Sequence, residues 1–178
     1  MAGSSDDSAL AARMFEQHGS AIRRYLRRLS GHPDVANDLT QDVYVRVVRA
    51  AARYEPRERE RAWLFRIARN VFLDHRKAGA RSPQAIDARL EEVAPAAQGT
   101  RVDVNAALQR LDATDREAFL LCEVGGLRYD EIAALLGLTA AGVRSRIYRA
   151  RLSLREMLMP PGPLASARHV RSSEDDDY

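Results

Sequence analysis

Apolar residues recur at helical spacing through the first part of the chain. Leu10, Met14, Ile22, Leu26 and Leu29 share one helical face, and Gly31-His32-Pro33 stops the run. Asp34 is placed to cap the next helix. Leu39, Val43, Val47 and Ala51 form its apolar stripe, which ends at Tyr54-Glu55-Pro56. After the charged run Arg57-Glu58-Arg59-Glu60-Arg61, a third helix carries Trp63, Leu64, Ile67, Ala68 and Val71 on one face. This helix is expected to fray at Ala78-Gly79-Ala80. Trp63 lies on the stripe, which predicts a core role for the indole.

Residues 81–104 carry no such period. Pro83, Pro95 and Gly99 interrupt them, with a short helix at 86–93 as the one candidate element, so a linker is expected. Periodicity returns from residue 105. Asp115 is expected to cap a helix through Phe119, Leu121 and Cys122, and Gly125-Gly126 to end it in a left-handed turn. Tyr129 to Leu136 reads as a short helix, Gly137-Leu138-Thr139 as a turn, and a long helix follows. Pro160-Pro161-Gly162-Pro163 ends the fold, and the tail to Tyr178 is expected to be disordered.

The fold class predicted is all-α: two small helical domains joined by a flexible linker, the C-terminal one a helix-turn-helix. The boundaries are 8–80, 81–104, 105–158 and a tail at 159–178. Composition agrees, since aromatic residues are only 6% while Ala, Leu, Arg and Glu abound.

The 129–150 pattern is the sharpest local signal. Ile132 and Leu136 face inward, and Ala133 is small where two helices cross. Gly137 suits a positive φ, and Thr139 can cap the second helix. Val143, Ile147, Ala150 and Leu154 form the inner stripe of that helix. Arg144, Ser145, Tyr148, Arg149, Arg151 and Arg155 fall on the other faces, the pattern a major-groove reading helix needs. Net charge is only +3. Its local concentration on such stripes, rather than its total, suits contact with phosphate.

Other chemistries find little support. His18, His32, His75 and His169 show no metal spacing with the single Cys122. No phosphate-cradling glycine loop or nucleophile elbow occurs. Catalysis and a cofactor are therefore not expected, nor a small-molecule substrate. One cysteine allows no internal disulfide, which suits a reducing compartment. Cys122 sits on an apolar helix face and reads as a buried structural thiol. No signal peptide is expected from the first residues. The longest charge-free apolar stretch, Ile132 to Val143, is shorter than the about 20 residues a membrane helix requires. A cytoplasmic protein without membrane insertion is expected.

Two stretches resemble one family. The segment 127–137, Leu-Arg-Tyr-Asp-Glu-Ile-Ala-Ala-Leu-Leu-Gly, with 142–151, Gly-Val-Arg-Ser-Arg-Ile-Tyr-Arg-Ala-Arg, is similar to the promoter-binding C-terminal domain of sigma-70-family factors. Independently, Ala36-Asn37-Asp38-Leu39-Thr40-Gln41-Asp42-Val43 and Arg61-Ala62-Trp63-Leu64-Phe65-Arg66-Ile67-Ala68-Arg69-Asn70 resemble the family's core-binding and melting domain. The two matches stand in family order, and the two-domain layout resembles the extracytoplasmic-function (ECF) group.

The resemblance implies a sigma factor that binds core RNA polymerase and directs promoter-specific initiation. Asp38, Leu39, Gln41 and Asp42 match the motif that grips the beta-prime clamp helices, and the beta flap is a further implied contact. Tyr54, Arg61, Trp63, Arg66, Arg69, Asn70, Arg76 and Lys77 match the part that captures and melts the minus-ten element. Thr139, Arg144, Ser145, Tyr148 and Arg149 match the minus-thirty-five reading positions. The implied partners are core polymerase, promoter DNA and, as in many relatives, an anti-sigma factor. The alternative reading is a conventional helix-turn-helix regulator that binds duplex operator DNA without touching the clamp. Residues 34–77 discriminate the two, because such a regulator has no need of them.

Overall fold

The computed structural model describes residues 3–55, 59–81 and 103–159, and every regular element among them is helical. The N-terminal half holds α1 (Gly3–Ser30), α2 (Pro33–Ala50), a 3-10 turn (Ala51–Arg53) and α3 (Glu60–Arg81). The C-terminal half holds α4 (Val104–Gln109), α5 (Ala113–Glu123), α6 (Tyr129–Leu136) and α7 (Ala140–Leu158). Residues 82–102 of the expected linker, with the candidate helix at 86–93, and the tail beyond Met159 lie outside the described residues, while Arg81 belongs to α3 and Val104 to α4.

The periodic stripes form the core. Met14, Ile22, Tyr25, Leu26 and Leu29 of α1 are buried against Leu39, Val43 and Val47 of α2 and Trp63, Leu64, Phe65, Ala68 and Val71 of α3. The Tyr25 and Phe65 rings meet edge-on at 5.2 Å. In the C-terminal half, Leu108, Leu111, Ala118, Leu120, Leu121, Ile132, Val143, Ile147, Ala150 and Leu154 close the second part of the core. Burying each Leu or Ile side chain contributes about 1.5–3 kcal/mol, so these stripes, not propensity, hold the short helices in place.

Local signals differ from expectation at several ends. The helix α2 starts at Pro33, with His32 as its cap residue, so Asp34 sits inside the first turn and acts on the helix dipole instead. The cap of α5 is Asp112, whose carboxylate accepts from the Thr114 and Asp115 amides at 3.0 and 3.2 Å. Asp115 is thus inside α5 and free for another role. The helix α3 continues past Ala78-Gly79-Ala80 to Arg81. Cys122 is only half-buried, with burial pushing its thiol pKa up.

The two halves pack together. The Gln109 side-chain amide donates to the Arg28 carbonyl at 2.9 Å, tying α4 to the end of α1. Arg69 of α3 meets Glu117 of α5 at 2.8 Å, and Arg59 meets Glu131 of α6 at 2.9 Å. Gly126 has φ +61, and a Cβ there would lie 3.2 Å from the Arg61 guanidinium carbon, so a side chain would crowd this approach as well as strain the backbone.

Candidate nucleic-acid interface

The helix-turn-helix is built as its sequence predicts. Gly137 turns the chain at φ +67, and the Thr139 hydroxyl accepts from the Gly142 amide at 3.0 Å, fixing the start of α7. Val143, Ile147, Ala150 and Leu154 anchor α7 in the core. The register then leaves Arg144, Ser145 and Tyr148 in solvent, Tyr148 with two-thirds of its surface accessible (67%). The Ser145 hydroxyl donates back to the Ala141 carbonyl at 3.1 Å. Arg151 pairs with Glu123.

Arg149 behaves differently. Its Nε and Nη2 donate to the two oxygens of Asp115, each at 2.9 Å, and Arg146 Nη1 donates to Asp115 Oδ1 at 2.9 Å. Asp115 is the one charged residue buried among the described residues. Burial pushes its carboxyl pKa up, but the hydrogen bonds and charges of Arg149 and Arg146 outweigh that and hold it below the usual carboxylate range. Sequence reasoning placed Arg149 and missed what holds it.

On α2, Asp38, Gln41 and Asp42 are exposed while Leu39 is buried. The helix therefore offers an acidic, amide-bearing face, and Leu39 serves by anchoring it. Tyr44 and Val45 are exposed beside this face, apolar surface that the sequence pattern did not single out. Arg46 pairs with Asp74 of α3 at 2.7 Å and braces the helix.

The candidates around α3 divide into two groups. Asn70, Arg66, Arg76 and Lys77 are exposed, with the Arg76 guanidinium 5.9 Å from the Phe72 ring centre. Trp63, Arg61 and Arg69 face the C-terminal half. Trp63 is buried as expected for a core indole and packs on Tyr54 at 5.0 Å. A cleft of about 380 Å³ lies between Trp63, Ala62 and Arg66 on one side and Leu127, Glu131 and Leu135 on the other. Arg69 is committed to Glu117, which also accepts from the Tyr25 hydroxyl at 3.4 Å. Among the described residues no cluster of His, Cys, Asp or Glu could hold a metal ion, and no helix is long and apolar enough to cross a membrane.

An exposed arginine-bearing helix in a helix-turn-helix, joined in one chain to a helical unit with an acidic exposed face, offers one surface suited to nucleic acid and another suited to a basic partner. Comparison with known proteins agrees. Residues 14–82 match the family Sigma-70 region 2, and residues 101–154 match Sigma-70, region 4. The chain is 38% identical over 156 residues to the ECF RNA polymerase sigma factor SigE of Mycolicibacterium smegmatis, covering 82% of this chain and 60% of that relative. It is 32% identical to the RNA polymerase sigma factor CarQ of Myxococcus xanthus, covering 82% of this chain and 87% of that one. Among solved structures, the sigma factor RpoE in complex with the anti-sigma factor NepR from Bartonella quintana superposes with a TM-score of 0.71 at 31% identity, covering 83% of this chain and 95% of that one. CnrH in complex with the cytosolic domain of CnrY gives a TM-score of 0.64 at 28% identity, covering 88% and 94%. This chain belongs to the sigma-70 family of RNA polymerase sigma factors, in its ECF group.

Proposed function

We propose that this chain binds core RNA polymerase through α2 and carries it to promoters that it reads at two elements. The residues 8–80 bind polymerase and open the minus-ten element. The residues 105–158 read the minus-thirty-five element, and 81–104 links the two. Its work is recruitment and strand capture in the cytoplasm, not catalysis.

The observation that carries this reading is the exposed Asp38, Gln41 and Asp42 on a helix whose other face is core. Like charges on one helix face mildly oppose each other, and a basic partner surface relieves them. Asn70 and Arg66 offer polar and cationic groups for a base drawn out of the duplex, with Arg76 and Lys77 placed for phosphates. Thr139, Arg144, Ser145, Tyr148 and Arg149 meet the major groove. One similar solved structure holds a sigma factor in complex with an anti-sigma factor, which supports an anti-sigma factor for this chain as well.

Reconstitution tests the reading. The purified chain is mixed with core polymerase, and co-elution and transcription from genomic fragments are measured. Co-elution with new, discrete start sites is expected. A chain that binds duplex DNA but neither co-elutes nor starts transcription is a conventional regulator.

A further inference from the structure

We infer that Asp115, a residue of α5 outside the helix-turn-helix, is a positioning residue for promoter reading, because it grips Arg149 by one edge and leaves the other edge facing outward. This rests on the reading of α7 as the minus-thirty-five helix.

The geometry is specific. A guanidinium has a side edge, Nε with one Nη, and an end edge formed by both Nη groups. Asp115 takes the side edge of Arg149 through two hydrogen bonds of 2.9 Å each. The end edge keeps the pair of donors that matches guanine O6 and N7 or two phosphate oxygens. Asp115 is only 7% exposed, so its own position is set by packing, whereas the Arg149 side chain is 53% exposed and reaches solvent. Arg146, at 29% exposure, donates to the same carboxylate and keeps the trio net positive beside DNA.

Arg144 provides the contrast, being exposed on the same helix with no hydrogen-bond partner among the described residues. It must lose side-chain freedom on meeting DNA, a loss that Arg149 has already taken in the folded chain. Among the α7 arginines matched to minus-thirty-five reading, Arg149 is therefore the one whose direction an ion pair sets before binding, and Asp115 sets it.

The test uses the full chain assembled with core polymerase, as wild type, Asp115→Asn, Arg149→Lys and the double variant. Bound duplexes are selected from a library randomised upstream of the start site and sequenced. Arg149→Lys keeps the charge and loses the end edge. It should cost about tenfold in preference at one base pair and leave the others unchanged. Asp115→Asn should lose preference at that same base pair. Its binding to unselected duplex should hold or rise, since a negative charge beside phosphate has gone. The double variant should be no worse than Arg149→Lys. A folded Asp115→Asn protein with the wild-type base profile overturns the inference, as does an even loss at every position, which marks a brace between α5 and α7 and nothing more. Should Asp115→Asn not fold, an unaltered profile for Arg149→Lys overturns it equally. A wild type that selects no upstream sequence removes the promoter-reading assignment itself, a result distinct from all of these.

Discussion

Arg69 Nε stands 2.8 Å from Glu117 Oε1, so a cation assigned to minus-ten DNA is held by the domain assigned to minus-thirty-five DNA. Both side chains are largely buried, Arg69 with 22% and Glu117 with 13% of the side chain exposed. Glu117→Arg removes the acceptor and sets two cations together. It should destabilise the seam by about 1–3 kcal/mol and separate the halves. Small-angle scattering should show a larger radius than wild type. An unchanged radius would mean that this ion pair does not hold the halves together in solution.

The same junction predicts an alkaline limit. Burial, and then the Glu117 charge, raise the Tyr25 phenol well above its usual value. The folded pKa therefore exceeds the unfolded one, near 10, and the neutral phenol contributes stability below about pH 10 that is lost as pH rises toward the folded value. Urea unfolding should weaken on that alkaline limb in wild type. Tyr25→Phe, which keeps the ring against Phe65, should flatten it. A Phe variant with the wild-type alkaline slope would assign the slope to other groups.

Asp42 is exposed on α2 and touches no core residue's role. Asp42→Arg should leave the fold intact by circular dichroism. It sets like charge against a basic clamp surface, which costs several kcal/mol at an interface, and each 1.4 kcal/mol is tenfold in affinity. Binding to core polymerase should fall by at least tenfold on that conversion. Undiminished binding by a folded variant would remove the contact.

Asn70 is exposed on α3 beyond the Arg69 junction. Asn70→Ala should slow opening of duplex promoters, because extracting a base costs a few kcal/mol that pocket contacts offset. A template already mismatched across the minus-ten element should restore transcription. Equal defects on both templates would place the role of Asn70 elsewhere.

What was legible in the chain follows from range. The stripes Leu39, Val43, Val47 and Val143, Ile147, Ala150, Leu154 are local periodicities, and each is buried as its spacing predicts. The Gly137 turn and the Thr139 cap depend on neighbours within three residues. Asp115 was misread because Asp112 lies one helical turn earlier and is an equally good cap by residue type. What decides between them is Arg146 and Arg149, which lie 31 and 34 residues away. Trp63 and Arg69 were placed on their helix correctly, but which helices cover them depends on α5 and α6, and no period within α3 encodes that. Exposure of Tyr44 and Val45 likewise depends on which elements pack on α2, which no period within that helix encodes.

Trp63 is the only tryptophan of the chain, and it sits in the wall of the cleft between α3 and α6, with the Tyr54 ring tilted against it. Every photon of indole emission thus reports on one place. While the cleft stays closed the ring is 9% accessible and should emit toward the blue. Parting of the helices, or arrival of a nucleobase against the ring, changes its surroundings at once, toward the red in the first case and toward quenching in the second. The protein carries its own optical gauge of when its two halves let go, readable in stopped flow without a label.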